Sequence, residues 1–162
     1  MTSASQGAAR PVLTDPTTQG AVNFLGGIVR FRASAQDTDG RFSVLEHTGE
    51  RGYMSPLHLH EADEETFLVL EGTLRVEVGP ETHSVGSGAL ALLPRGLAHG
   101  FVVTSPQARF LTLHTPSGFD RFVAEIGLPL DQAGDAASPD PQELTRIAAQ
   151  HGIQIVGPPL LP

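Results

Sequence analysis

Two stretches of the sequence decide the fold. The first, residues 52–72, reads GYMSPLHLHEADEETFLVLEG, and the second, residues 88–99, reads GALALLPRGLAH. Together they contain three histidines and a glutamate in a framework of glycine and proline. Their spacings are Gly52-x5-His58-x-His60-x4-Glu65-x6-Gly72 and Gly88-x5-Pro94-x-Gly96-x2-His99. This pattern indicates short strands joined by tight turns, with metal-ligand side chains on the strands.

The four side chains suit a transition-metal site. His58 and His60 are two residues apart on a strand, so both leave the same face of it. Glu65 opens the next strand, which can return beside the first, and His99 lies on a later strand. If all four point into one barrel, they supply three neutral imidazoles and a carboxylate, a set that binds Fe, Ni, Mn, Co, Cu or Zn. The sequence therefore predicts one divalent transition metal, with positions open for water, dioxygen or substrate.

Two alternatives bear on this site. A lone His-x-His pair on a strand is more often a surface pair or a satisfied core pair than a pair of metal ligands. The acidic run at 61–65, which includes Asp63, is predicted to be mostly a solvated turn, although within it Glu64 competes with Glu65 as the fourth ligand. The spacing to Gly72 and the shared parity with Phe67 favour Glu65.

Outside these stretches, the chain from about residue 24 to 114 also has the pattern of strands. Apolar segments of strand length follow one another, several alternate with period two, and turn signals recur about every ten residues. The predicted strands are 27–33, 41–47, 56–60, 66–70, 74–78, 89–93, 98–103 and 110–114. This rhythm favours an antiparallel sandwich or barrel over alternating strands and helices.

After Pro116 the pattern becomes helical. Ser117 is predicted as the N-cap of a helix that ends at Gly127. A second helix is predicted to begin with Asp140 as N-cap and Glu143 in a capping box, and to run to about residue 150.

Length and composition bound the remaining possibilities. The 162 residues suffice for one domain, which we divide into a flexible N-terminal arm (1–20), a barrel (21–116) and a C-terminal helical extension and tail (117–162). The absence of cysteine excludes thiolate metal sites, and the absence of lysine excludes a Schiff base. A net charge of −8 without a basic stripe argues against nucleic acid. With no signal-peptide pattern and no long apolar run, we expect a cytoplasmic protein that binds a small-molecule substrate and no membrane.

The two stretches resemble the paired motifs of the cupin superfamily at the spacing of that family. Nine positions agree, and since each residue type occurs at only about 5–7% per position, chance agreement is negligible. The resemblance implies an all-β fold, the cupin double-stranded β-helix or jelly-roll barrel, followed here by short C-terminal helices. It also implies a homodimer, and that His58, His60, Glu65 and His99 are the metal ligands. One departure is Val103, where the second motif usually ends in asparagine.

Within the superfamily, the chain resembles single-domain cupins of the quercetin 2,3-dioxygenase-like subgroup. The segments that carry this resemblance are 58–60 (HLH), 65–67 (ETF), 69–72 (VLEG), 94–101 (PRGLAHGF) and 115–119 (TPSGF). It implies a metal-dependent dioxygenase acting on a flavonol-like or other enol-type small molecule. Glu65 could then also serve as the catalytic base, because a carboxylate can shift its coordination and accept a proton. The alternatives are a metal-dependent isomerase and a cupin that binds a small molecule or metal without turnover.

Side chains with the same strand parity as the ligands are predicted to line a substrate pocket. They are Met54, Pro56, Phe67, Val69, Phe101 and Val103, together with His114 at the end of the last strand. The alternative is that these residues are ordinary barrel core. The remaining histidines, His47, His83 and His151, are predicted to lie on the surface.

Overall fold

The computed structural model describes residues 10–132 and 139–162. The first nine residues of the predicted arm, and residues 133–138 ahead of the second predicted helix, lie outside the described residues. From residue 10 the chain runs towards the first strand, and the Thr14 hydroxyl donates to the Arg32 carbonyl oxygen at 3.1 Å. This bond fastens the described part of the arm to the sheet.

Strands dominate the chain. They are β1 (Ala21–Phe24), β2 (Gly27–Ala33), β3 (Ser43–Glu50), β4 (Pro56–His60), β5 (Glu64–Glu71), β6 (Thr73–Val78), β7 (Glu81–Gly86), β8 (Leu90–Leu93), β9 (His99–Val103), β10 (Gln107–Thr115), β11 (Leu128–Pro129) and β12 (Ile153–Pro159). The helices are α1 (Phe119–Ile126) and α2 (Pro141–Gln150), with a 3-10 turn at Leu130–Gln132. All eight predicted strands are confirmed, with boundaries that differ by up to three residues.

Two antiparallel sheets make up the barrel. One has seven strands in the order β11-β1-β2-β3-β10-β5-β8, and the other has five in the order β12-β4-β9-β6-β7. Strands that neighbour each other in space are often far apart in sequence, which is the double-wound arrangement of a jelly roll. The predicted all-β fold is confirmed.

The strand register brings the motif residues to one end of the barrel. His58 on β4 lies opposite His99 on β9. Glu65 on β5 lies opposite His114 on β10 at one side and Leu93 on β8 at the other. Because inward and outward side chains alternate along each strand, these pairings fix which histidines can meet.

The turn between β5 and β6 requires a glycine. Gly72 has a φ of 81°, and a Cβ atom there would lie 2.3 Å from the Gln107 carbonyl oxygen and 2.8 Å from the Ala108 Cα. No side chain fits that gap, so this motif glycine permits β10 to approach the turn.

The interior contains two apolar clusters. The larger lies inside the barrel and includes Phe67, Leu74, Val76 and Phe110. The second joins the inner side of β1, β2 and β3 to the two helices; its members include Phe24, Leu45, Phe122, Val123 and Ala148. The second cluster therefore docks the C-terminal helices against the barrel.

The C-terminal region agrees with the prediction in part. Asp140 caps α2 by accepting from the Gln142 amide at 3.2 Å, as predicted. The prediction of Ser117 as the cap of α1 is wrong, because Gly118 occupies that position without a side-chain bond.

The predicted capping box of α2 is not formed. Glu143 pairs with Arg146 on the same helix instead, at 2.6 Å. The tail after α2 forms β12, a strand that the sequence did not predict. Neither helix in the described ranges has the length and apolar character needed to cross a lipid bilayer.

Candidate metal centre

The four predicted ligands meet at one end of the barrel interior. His58 and His60 come from β4, Glu65 from the start of β5, and His99 from the start of β9. All four side chains are buried, and one potential ligand atom from each lies within 4.8 Å of the others. The structure thus places together residues that are up to 41 positions apart in sequence.

One carboxylate oxygen forms the centre of this group. Glu65 Oε2 lies 2.8 Å from His99 Nε2, 3.2 Å from His60 Nε2 and 3.9 Å from His58 Nε2. Three imidazole nitrogens and one oxygen therefore converge on a volume of the size that a metal ion needs.

In two of the ligand rings, Nδ1 is hydrogen-bonded to a backbone carbonyl oxygen. His58 Nδ1 donates to the Pro56 carbonyl oxygen at 2.8 Å, and His99 Nδ1 donates to the Leu97 carbonyl oxygen at 3.0 Å. A neutral imidazole has only one N–H, so the Nε2 of His58 presents a lone pair to the Glu65 carboxylate. A lone pair and a carboxylate repel each other unless a cation lies between them. The donor set therefore fits a divalent metal.

The protonation states agree with this assignment for two of the ligands. Burial, with a smaller effect of His99, lowers the pKa of His58 to about 3, so its ring is neutral at pH 7. Burial alone would raise the pKa of Glu65, but His114 and the hydrogen bonds from His60 and His99 lower it well below its usual range. A neutral imidazole and an ionised carboxylate are the forms that bind a metal.

His60 behaves differently because it lies between two carboxylates. Burial opposes its charge, but the hydrogen bonds with Asp63 and Glu65 raise its pKa to about 9. Its Nδ1 is 3.3 Å from Asp63 Oδ2, while its Nε2 faces Glu65. A metal held by Nε2 would take the place of the proton there and leave the Nδ1 proton for Asp63.

Glu64, the alternative fourth ligand, points away from the cluster. It is exposed to solvent along part of its side chain and receives two hydrogen bonds from Arg95, each 2.9 Å long. Glu65 is buried among the histidines. The structure therefore favours Glu65 over Glu64, as the sequence did.

A second layer of polar groups supports the cluster. His114 Nδ1 donates to Asp63 Oδ2 at 2.8 Å, and its Nε2 lies 3.4 Å from Glu65 Oε1. The ring of Phe119 stacks on His114 with a centroid distance of 4.4 Å. His114, predicted as a pocket residue, thus lies beneath the ligands. Sequence reasoning placed Asp63 in a solvated turn, whereas the structure buries it.

A small apolar cavity lies against the cluster. Its volume is about 40 Å³, and the predicted pocket residues Met54, Pro56 and Phe101 line it together with His58 and Glu65. Further lining comes from the helices and the β1–β2 turn, through Leu25, Phe119, Phe122, Leu144 and Ala148.

Three predicted pocket residues lie elsewhere. Phe67, Val69 and Val103 belong to the apolar cluster inside the barrel and do not line the cavity. The physical reason is that they lie further along the strands, on the far side of Phe101 from the cavity. Phe101 forms the cavity wall, and its ring packs edge-on against Phe67 with a centroid distance of 5.7 Å. Parity predicted correctly that these side chains point inward, but they are core residues.

The prediction that His47 lies on the surface is wrong. Its ring is buried and lines the cavity, with Nδ1 3.0 Å from the Tyr53 hydroxyl and Nε2 3.1 Å from Thr112 Oγ1. Burial lowers the pKa of His47 to about 3. The signal was available in the sequence, because His47 has the same strand parity as the buried Leu45.

The other two histidines stay outside the site. His83 is exposed on β7 and pairs with Glu81 at 2.8 Å. His151 is only partly exposed, follows α2 and pairs with Glu125 at 2.6 Å. Neither approaches the cluster.

Comparison with known proteins agrees with the fold. The cupin domain family matches residues 45–114, a range that contains all four predicted ligands. Residues 45–114 therefore match a cupin domain, and the barrel has the cupin fold, which is the jelly roll described above.

Particular relatives cover only parts of the chain. Quercetin 2,3-dioxygenase of Bacillus subtilis (strain 168) is 29% identical over 101 residues, which are 62% of this chain and 30% of that protein. The chain thus spans less than a third of the length of this curated relative. The polyketide cyclase RemF from Streptomyces resistomycificus is 27% identical, with a TM-score of 0.58, over 67% of this chain and 81% of that one. An RmlC-like cupin from Shewanella frigidimarina is 14% identical, with a TM-score of 0.61, over 69% and 96%.

Proposed function

We propose that this protein is a metal-dependent dioxygenase that acts on a flavonol-like or other enol-type small molecule. The observation that carries the proposal is the position of Glu65. This carboxylate is buried among three imidazoles and also lines the apolar cavity where a substrate group would enter. A bound metal would supply a site for an enol oxygen and for the activation of dioxygen.

Glu65 is ionised and is placed to accept the enol proton. Its lowered pKa keeps it in the carboxylate form, and its two oxygens have different surroundings. Oε2 faces the three ligand nitrogens, and Oε1 faces His114 Nε2 at 3.4 Å. His114 and Asp63 hold the carboxylate in this orientation, so that it can accept a proton from a hydroxyl placed in the cavity.

The cavity wall supplies the exclusion of water. Met54, Pro56, Phe101 and Phe119 are apolar and leave few competing hydrogen-bond partners near the ligands. In such surroundings, charge interactions with a bound enolate are stronger than in water. Sugar substrates need more polar side chains than this wall offers.

The relatives support the same chemistry. The Bacillus subtilis relative is a quercetin 2,3-dioxygenase, and quercetin is a flavonol with an enol hydroxyl. The RemF relative is a polyketide cyclase, which favours a second candidate for this chain: an enol-binding cyclase that uses no dioxygen. Both candidates need a deprotonated enol at the same metal and a base in the position of Glu65.

Oxygen uptake separates these candidates. The chelator-stripped protein is loaded in turn with Fe, Ni, Mn, Co, Cu and Zn, and oxygen consumption is measured with 3-hydroxyflavone and with flavone, which lacks the enol hydroxyl. We expect at least one metal form to consume oxygen with 3-hydroxyflavone only. Glu65→Gln should lower this rate by about 100-fold or more, the usual contribution of a general base.

The matched control is Glu64→Gln, which changes the neighbouring carboxylate outside the cluster. It should leave the rate within about twofold, because surface charge changes have small effects. Absence of oxygen consumption with every metal and every flavonol tested would contradict the dioxygenase. Conversion of an aromatic polyketide-type enol without oxygen uptake would then support the cyclase.

A further inference from the structure

A second apolar space adjoins the metal cavity. It is a groove of about 320 Å³, and it shares five lining residues with the cavity: Leu25, Met54, Pro56, Leu144 and Ile155. The cavity itself, at about 40 Å³, has room for only a few water molecules. An organic molecule that reaches the metal must therefore place most of its atoms outside the cavity, and the groove is the adjoining space.

The walls of the groove are apolar and preformed. Four prolines line it beyond the shared residues: Pro139, Pro141, Pro158 and Pro159. Proline has a fixed φ, so these segments lose little freedom when a ligand binds. None of the described lining residues is charged, and the Thr145 hydroxyl donates to the Pro141 carbonyl oxygen at 2.8 Å.

This lining discriminates between classes of ligand. A sugar or a phosphate in the groove would lose water without gaining hydrogen bonds in return. An uncharged aromatic ring system would bury apolar surface against apolar surface, which is favourable. The chemistry of the groove therefore favours uncharged, apolar ring systems over sugars and phosphates.

Most of the groove lies outside the cupin match at 45–114. Leu25 belongs to the β1–β2 turn, Leu144 and Thr145 belong to α2, and Ile155 belongs to β12. Leu25 has a φ of 51°, a left-handed conformation that is uncommon for leucine, and its side chain lines both spaces. The motif strands thus provide the ligands, whereas the β1–β2 turn, α2 and β12 form most of the groove.

We propose that this groove binds the ring system attached to the metal-coordinating enol, so that α2 and β12 select aromatic substrates. The assignment rests on the proposed function, because it assumes that an enol oxygen enters the cavity. It adds a second binding site for the same molecule, built by elements that the cupin motifs do not include.

Two ligands with the same 3-hydroxy-4-pyranone group separate the groove from the cavity. Maltol carries this group on a single ring, whereas 3-hydroxyflavone carries it with a fused ring and a phenyl ring. Dissociation constants are measured by titration of the full chain loaded with Zn²⁺, which has no redox chemistry of its own. The titration therefore measures binding in the absence of turnover.

A tryptophan on α2 tests the groove from its exposed side. Thr145→Trp fills the groove, while Ala149→Trp places the same side chain on an exposed position of the same helix outside it. We expect Thr145→Trp to weaken 3-hydroxyflavone binding about tenfold or more, the contribution of one buried ring. Maltol binding should change less than about twofold, and Ala149→Trp should leave both constants unchanged.

Several outcomes would overturn the groove assignment. These are equal effects of Thr145→Trp on both ligands, no effect on either, or a wild-type protein that binds 3-hydroxyflavone no more tightly than maltol. Thermal unfolding of each variant checks that the fold is intact. Failure of the proposed function has a different result: ring-dependent binding persists with zinc, while no metal form turns the substrate over.

Discussion

The two ends of the barrel interior are built by the same strand alternation and have opposite chemistry. On β5, Glu65 lies among imidazoles, whereas Phe67, only two residues further, packs against Phe101 and Phe110 at 5.7 Å each. One strand thus passes from a ligand-bearing end to an apolar core within a single pleat. Inward parity and depth along the strand are therefore separate properties, and depth decides whether an inward residue belongs to the ligand cluster or to the apolar core.

Removing the core ring should produce the largest effect and should spare the metal site. Phe67→Ala deletes a buried ring, and such changes lower the free energy of unfolding by about 3–5 kcal/mol. Urea unfolding of the chelator-treated protein measures this loss. Metal stoichiometry after reloading should stay that of the wild type. A loss below about 1 kcal/mol would show that this end of the barrel is not the stabilising core.

Changing Asp63, which contacts the ligand His60 and its neighbour His114, should weaken metal binding rather than the apolar core. Asp63→Asn removes the charge that accepts from His114 and faces His60. Losses of such outer partners weaken metal binding by about 10–100-fold, and we expect that range in competition titrations with a chelator. Glu64→Gln, at the neighbouring exposed carboxylate, is the control and should change affinity less than about twofold. Equal losses in the two variants would remove the distinction between supporting and surface carboxylates.

A smaller decrease in the free energy of unfolding is expected when the pH is lowered, because of His47. Burial lowers the pKa of His47 from 6.5 to about 3, so the unfolded chain binds a proton that the folded chain does not. Stability is therefore full above pH 6.5 and falls as the pH decreases towards 3. Between pH 7 and pH 5, His47 should account for about 1–2 kcal/mol of the loss.

His47→Gln should remove that part of the pH dependence, as measured by urea unfolding of the chelator-treated protein at both pH values. His83→Gln is the matched control, because His83 is an exposed histidine on β7. The same loss of stability between pH 7 and pH 5 in the wild type and in His47→Gln would contradict the buried, neutral state of this ring.

The ligand set could be predicted from the sequence because each ligand sits in a rigid local frame. His58 and His60 share a strand face, a short acidic turn leads to the strand of Glu65, and the Pro94-x-Gly96 turn precedes the strand of His99. The strands were predictable for the same reason, since alternation is local. The assignment of Glu65 over Glu64 followed from the spacing to Gly72 and the parity with Phe67.

Asp63, which contacts the ligand cluster, and the groove that adjoins the cavity could not be predicted in the same way. Asp63 lies in the turn between β4 and β5, where no periodicity indicates the direction of a side chain. The end of the chain reads as a tail because of its prolines, yet β12 is an edge strand beside β4, a position in which proline is tolerated. The groove combines elements from both ends of the chain, and only the tertiary structure brings them together.

Metal content tests the central claim most directly. The wild-type protein and His60→Ala are reconstituted with each candidate metal, dialysed and analysed by mass spectrometry, with His83→Ala as the exposed control. We predict about one equivalent of a transition metal per chain in the wild type and in His83→Ala, and less than about a tenth in His60→Ala. A wild-type protein that retains none of these metals, or a His60→Ala variant that retains a full equivalent, would contradict the account.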